Sequence, residues 1–382
     1  MKRSIIFKYT IALIFSGLFF LALSGCGEGD SGPAPVMHTV VSDTSVSGNM
    51  FGLAFAGTNV WVAYQNTDSG NTIRLYRSGD TGTTFSQVFD TDQDSNGMVR
   101  AAVDSADTLY LFYRQFDTAH HIAVSTMDDA SDVASTALDD TTIALGGATL
   151  ASQCLDISIS GTTTFLPYTG GDTASYLSAD FVTATVMQSL DGSMNAGGMA
   201  GCMNSTSIWM SAYINYTDDT NTEVRFARTG NSGANWTEMV LDNNDAGIDQ
   251  NVDIAAVDDN IVVSYFNDVD DKVYAICSAD NGVNWSSPIE VASAYDDMTS
   301  LAVSTGYFNL VFTKNNGSNK EVYIARSSDN GATWTLKKLG TVEYYDQLFP
   351  EIQASGNTIC IAFRTNTGIY FFRSTDNGTT WD

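Results

Sequence analysis

From about residue 37 onward the chain alternates apolar and polar positions in short runs broken by Gly, Asn, Asp and Ser. VDIAAV (252–257) and IVVSYF (261–266) are two such runs around a short turn. KVYAIC (272–277) follows, then the turn-like phrase SADNGVNW (278–285), then PIEVAS (288–293). Period-two alternation rich in β-branched and aromatic residues predicts strands. The same order of four short strands recurs along the chain, with no amphipathic helical pattern after residue 25.

The turn phrase supplies the count. SGDTGTTF, TGNSGANW, SADNGVNW, SSDNGATW and STDNGTTW begin at 78, 229, 278, 327 and 374. The last four stand 47 to 49 residues apart, and the first gap of 151 is about three periods. Two eroded copies are therefore expected inside it, near Ser125 in VSTMDDAS and Ser178 in LSADF. Four strands per period of about 50 predict an all-β fold, a seven-bladed β-propeller of four-stranded blades. Asp382 follows the seventh phrase directly, so the last blade needs a fourth strand from elsewhere. MHTVVSD (37–43) is the expected donor, an N-terminal strand that closes the ring and removes open edges.

The first residues follow another pattern. Lys2, Arg3 and Lys8 precede an apolar run, Ile11 to Leu23, too short to span a bilayer comfortably. It ends in Leu23-Ser24-Gly25-Cys26, which resembles the lipobox of bacterial lipoproteins. The resemblance implies cleavage before Cys26, lipidation of its sulfur and a lipid-anchored protein of the bacterial cell envelope, at the outer membrane or cell surface. Several acyl chains hold a protein on a membrane where one does not. The expected organisation is a signal peptide over 1–25, a flexible tether over 26–35 and the propeller over 36–382.

Charge narrows the partners. The formal net charge is −27, and losing Lys2, Arg3 and Lys8 makes it −30. Such a chain repels nucleic acid and anionic membrane, leaving the lipid as the membrane contact. Besides Cys26 the cysteines are Cys154, Cys202, Cys277 and Cys360, with no CxxC motif. Cys154–Cys202 is the one disulfide considered for an exported protein.

The repeated phrase, Ser/Thr-x-Asp-x-Gly-x-x-Trp/Phe, resembles the Asp-box or BNR repeat of the sialidase-like propeller superfamily. The resemblance implies turns between strands three and four, on the face opposite the ligand site. Their chemistry reads as a staple. Ser and Asp hydrogen-bond the turn's own backbone, Gly permits positive φ and Trp buries a large face. A catalytic reading would need five equivalent sites, and the phrase has too few carboxylates for calcium.

Ligand residues are then sought on the other face. Arg77, Arg228, Arg326 and Arg373 directly precede a phrase, and Arg74 and Arg225 lie three residues earlier, so these six follow the repeat. Arg100, Arg114 and Arg364 remain as candidate ligand-binding residues. The resemblance implies an arginine triad that clamps a substrate carboxylate, for which the guanidinium fork is suited. It also implies a tyrosine nucleophile with acidic partners. Glu343, Tyr344, Tyr345 and Asp346, in the loop VEYYDQLFPE that ends at Glu351, are the candidate catalytic set. The chain departs from the family in lacking the FRIP or YRIP motif and in having seven units where sialidases have six. Asp90, Asp92 and Asp94 stand at the alternate spacing of a calcium loop and are candidate metal ligands, against a solvated acidic loop. No cofactor is required. Adjacent on a strand, His120 and His121 point to opposite faces and do not share a metal. Two readings follow: a monomeric ligand-binding or scaffold module for glycan or protein on the face opposite the Asp-boxes, or a divergent exo-sialidase-like glycoside hydrolase.

Overall fold

The computed structural model describes residues 34–68, 70–90, 95–106, 108–115, 122–127, 139–143, 150–160, 163–170, 173–177, 184–189, 198–218, 221–243, 248–293, 298–317, 319–343 and 348–382. Ala34–Asp382 form one compact unit, and the described residues contain strands and turns but no helix.

A single strand, β1 (His38–Val41), comes first. The first sheet is β2 (Val46–Ala56), β3 (Asn59–Asn66), β4 (Thr72–Ser78) and β5 (Ser86–Asp90). The second is β6 (Ser95–Val103), β7 (Leu109–Gln115), β8 (Ile122–Met127) and β9 (Asp139–Ile143). The third has five strands: β10 (Leu150–Leu155), β11 (Ser158–Ser160), β12 (Thr163–Gly170), β13 (Thr173–Leu177) and β14 (Ala184–Ser189), with β10 and β11 both pairing with β12. The fourth is β15 (Met199–Met203), β16 (Trp209–Asp218), β17 (Asn221–Thr229) and β18 (Thr237–Asp242). The fifth is β19 (Ile248–Val257), β20 (Asn260–Asn267), β21 (Lys272–Ser278) and β22 (Ile289–Ser293). The sixth is β23 (Thr299–Ser304), β24 (Tyr307–Asn315), β25 (Asn319–Ser327) and β26 (Thr335–Glu343). The last joins β27 (Glu351–Ser355), β28 (Thr358–Thr365) and β29 (Gly368–Ser374) to β1, which pairs antiparallel with β29.

Burial grades along each sheet. The second strands, such as VWVAYQ in β3 and IVVSYF in β20, are buried at nearly every position because sheets pack on both their faces. Third strands alternate, and the fourth strand β5 is largely exposed. The apolar core therefore lies between neighbouring sheets. Phe165, Trp209 and Tyr213 fill the space between the third and fourth sheets. Val40, Ile369 and Phe371 of the last sheet meet Leu53, Val62 and Tyr64 of the first. Each such side chain, fully buried, contributes about 1.5–3 kcal/mol. First strands also touch in sequence, β2 to β6, β6 to β10, β15 to β19, β19 to β23, β23 to β27 and β27 to β2, while β12 meets β15. This is a propeller-type arrangement.

The repeated turns are closed by their own residues. Ser327 Oγ accepts the Gly331 N–H at 2.8 Å and donates to Asp329 Oδ1 at 2.7 Å. Asp329 also accepts the Thr333 N–H at 2.9 Å, and Trp334 Nε1 donates to the Gly331 carbonyl at 3.0 Å. The turns at 78, 229, 278 and 374 repeat the Ser/Thr-to-Gly bond. Asn330 and Gly331 hold φ of 59° and 90°, where a side chain at the glycine is strained. These turns lie beside the hairpin turns between first and second strands, since the Thr81, Asn281 and Asn377 N–H groups donate to the Thr58, Asp259 and Asn357 carbonyls.

Two of the arginines before the turns hydrogen-bond the neighbouring sheet's turn, while Arg77 and Arg326 bond Asn59 and Asn309 of their own sheets. Arg228 donates to the Asn281 carbonyl. Arg373 donates to the Asp80 and Thr81 carbonyls at 3.0 and 3.1 Å, tying the last sheet to the first. One eroded copy is displaced from its expected place. Val60 pairs with Ser78, and the corresponding Leu109 pairs with Met127, so Met127, not Ser125, holds the serine position. Ser178 lies outside the described residues.

Candidate functional site

In every hairpin the second strand carries an aromatic at one level: Tyr64, Tyr113, Tyr168, Tyr213, Tyr265, Phe312 and Phe363. The residue before it pairs across to the first strand. Gly52, Arg100, Ala200, Asp253, Ser300 and Glu351 are its partners in six sheets. In the third, the Asp156 N–H donates to the Pro167 carbonyl at 3.2 Å. Seven equivalent positions thus carry one arginine, three carboxylates, a serine, an alanine and a glycine.

Their side chains bond to the next first strand. Asp156 Oδ2 accepts the Gly201 N–H at 2.8 Å, Asp253 Oδ2 the Leu301 N–H at 2.6 Å and Ser300 Oγ the Ile352 N–H at 3.3 Å. Each donor is one residue beyond its own strand's equivalent position. Glu351 instead pairs with Arg100 Nη1 at 2.7 Å, and Asp156 Oδ1 lies 3.6 Å from Arg100 Nε. Between Glu351 and Arg100 in the order of sheets stands Gly52, where a Cβ would lie 2.7 Å from the Ala101 nitrogen. The close approach of β2 to β6 requires glycine there.

All of these positions but Gly52 line a cavity of about 110 Å3. It extends past Asn251 and Ser300 to Gly198, Met298 and Pro350, at the starts of the first strands. Those ends are remote from the hairpin turns, so the cavity lies toward the side opposite the repeated turns.

One guanidinium among three carboxylates leaves negative charge in excess, and titration reflects it. Burial and the Asp156 charge raise Asp253 to about 8. Burial raises Glu351 to about 7 against the pull of Arg100, with Asp156 adding to the rise. Burial also raises Asp156, with Arg100 opposing. Burial disfavours the charged form of Arg100, but Glu351, Asp156 and Asp253 outweigh it and raise its pKa. Burial, with Asp253 and Asp156, keeps the Cys202 thiol well above its usual range. A carboxyl near 7 beside an arginine can hold or pass a proton.

The sequence-derived candidates divide. Arg100 is in this cavity, and Glu351, the end of the candidate loop, is its partner. Arg364, near the end of β28, has its guanidinium 5.0 Å from the centre of the Phe349 ring, and its backbone N–H donates to the Leu348 carbonyl at 2.8 Å. Arg114 lies in β7 and Glu343 ends β26, but their side chains are outside the described set. Tyr344, Tyr345 and Asp346 lie outside the described residues, as do Asp92, Asp94 and Cys26. Asp90 accepts from Arg74 Nε at 3.0 Å. Among the described residues no group of three His, Cys, Asp or Glu is placed to hold a metal ion. Cys202 is a free, buried thiol, which corrects the Cys154–Cys202 pairing. Its side chain packs in the apolar cluster between the fourth and fifth sheets.

Asp156 and Asp253 were not legible as site residues in the sequence. Their signal is positional: each faces the residue before the second-strand aromatic.

No protein-family model and no curated protein sequence matches the chain. Solved structures do share its fold. A polysaccharide lyase, an ulvan lyase of a new family, superposes with a TM-score of 0.56 at 11% identity, over 89% of this chain and 94% of that one. The endosialidase of phage phi92 gives 0.52 at 8% identity, over 89% of this chain and 68% of the other. The Hadza microbial sialidase Hz136 gives 0.50 at 12% identity over 87% of this chain, which spans 66% of that sialidase's length. The likeness is one of fold, the all-β propeller-type arrangement described above.

Proposed function

We propose that the chain is an exported, lipid-anchored, seven-bladed propeller that binds a glycan on the side opposite its repeated turns. The cyclic contacts of the first strands and the pairing of β1 with β29 support a ring closed by an N-terminal strand. In this reading residues 1–25 are a signal peptide, 26–35 a tether and the protein a monomer held through Cys26. The observation that carries the binding role is the polar cavity among the first strands, lined by one guanidinium and three carboxyl groups. Arg100 is engaged by Glu351 and Asp156, which leaves it poorly disposed to clamp a substrate carboxylate. Glycan is favoured over protein because the pocket is small, concave and rich in donors and acceptors. A glycan array probed with the soluble domain tests this, with binding expected to fall at least tenfold in Glu351→Gln. Binding to no glycan, or binding unchanged by that substitution, overturns it. Membrane association lost in Cys26→Ser tests the anchor.

A divergent glycoside hydrolase is the second reading, using Arg100, Arg114, Arg364 and Glu343, Tyr344, Tyr345 and Asp346. Its support is Glu351, whose carboxyl, raised to about 7, is in the range of a general acid. Turnover of a fluorogenic sialoside, lost in Arg364→Ala, would favour it. Calcium at Asp90, Asp92 and Asp94 stays a lesser proposal, since Asp90 is already paired with Arg74.

A further inference from the structure

We infer that the cavity selects an amine-bearing sugar, so that the glycan bound there is an amino sugar with a free, protonated amine. The inference rests on the glycan-binding reading and names its ligand class.

Three carboxyl groups share one guanidinium, so acid groups are in surplus where water is scarce. Burial holds part of that surplus protonated near neutral pH, and a bound monocation can take the place of such a proton. The same surplus repels a sugar carboxylate. Glu351 Oε1 is taken by Arg100, and Oε2 has no hydrogen-bond partner among the described residues. It is an acceptor for an ammonium group.

A second observation points to a ligand independently of the acids. Asn251 is 8% exposed and lines the cavity. Its Oδ1 accepts from the Thr299 N–H at 2.7 Å and from Thr299 Oγ1 at 2.9 Å. Among the described residues nothing accepts a hydrogen bond from its Nδ2. Ser300, 7% exposed on the same wall, accepts from Ile352 and has a hydroxyl proton to give. Neither donor is among the fully buried atoms that lack a partner, so Asn251 Nδ2 is open to the cavity and free to meet an acceptor there. A sugar meets both needs, with hydroxyl oxygens for Asn251 and Ser300 and an ammonium for Glu351 and Asp253. The apolar stem of a lysine would leave the donors unmatched.

Isothermal titration of the soluble domain at pH 7 tests this with the glucosamine trimer, its fully N-acetylated form, the galacturonate trimer and a lysine tripeptide. The glucosamine trimer is expected to bind at least tenfold more tightly than the acetylated trimer, and galacturonate not measurably. Glu351→Gln, which keeps the side chain's shape, is expected to remove that tenfold preference with the melting temperature recorded as a fold control. Equal or tighter binding of the acetylated or galacturonate trimer would overturn the amine preference and leave glycan binding standing. Tighter binding of the lysine peptide would overturn the sugar assignment. Failure of all the sugars would overturn both readings.

Discussion

Arg100 and Glu351 are 251 positions apart in the chain, yet their side chains meet at 2.7 Å. The contact joins the second sheet to the last across the first, at the level where Gly52 has no side chain. Removing the arginine strands three buried carboxylates. Arg100→Ala is expected to cost about 3–5 kcal/mol, the usual loss on breaking a buried pair. Glu351→Gln should cost less, because it removes charge from a cluster with too much of it. Urea denaturation of both variants checks the order. Equal losses would show that the pair acts only as packing.

Stability should depend on pH in two windows of opposite sign. Asp253, raised to about 8, and Glu351, raised to about 7, bind protons more tightly folded than unfolded. Their contribution is complete below the ordinary carboxylate range and is lost as pH rises toward 7 and 8. Arg100, Asp156 and Cys202 face the same space and couple to them. The turn carboxylates run the other way. The Thr333 hydroxyl and N–H, with Ser327, hold Asp329 at about 2. The N–H and amide of Asn284 hold Asp280 there also. Their contribution is present above the usual range and is lost as pH falls toward 2. The melting temperature is therefore expected to be higher at pH 5 than at pH 8 and to drop steeply below pH 4. Asp253→Asn should flatten the upper limb alone.

Two glycines with positive φ make a controlled comparison. Gly57 has φ of 60° with nothing within 4 Å of an added Cβ, whereas at Gly82, φ 90°, the Phe371 ring of the last sheet occupies that space. Gly57→Ala is expected to cost roughly 1–2 kcal/mol from backbone strain. Gly82→Ala should add about 1–3 kcal/mol of overpacking. Thermal melts of the two variants measure the difference, and similar values would mean that Phe371 moves aside freely.

The pairing of β1 can be tested without touching β1. A Cβ at Gly368 would run into the Val41 carbonyl. Gly368→Ala is expected to raise amide exchange over residues 38–41 at least tenfold while β20 stays protected. Unchanged exchange there would show that the pairing tolerates the displacement.

The sequence carried the strand order, the turn chemistry and the N-terminal strand because each repeats or completes a repeat. SADNGVNW and SSDNGATW share their hydrogen bonds as they share their letters. The second sheet strayed by two residues because VSTMDDAS keeps a serine but not the glycine and tryptophan that fix the turn. The cavity residues were harder. Arg100 stood out as an arginine outside the repeat, but Asp156 and Asp253 look like ordinary polar positions of alternating strands. Only pairing across the hairpins shows that single residues from separate sheets fall at one level, and no local pattern records that.

The Val36 N–H donates to the carbonyl of Trp381, the aromatic that ends the last repeated turn, at 3.3 Å. The chain therefore enters the fold on the turn side, and the cavity lies toward the other. A probe attached at Val36 would report on the turn side and leave the cavity open.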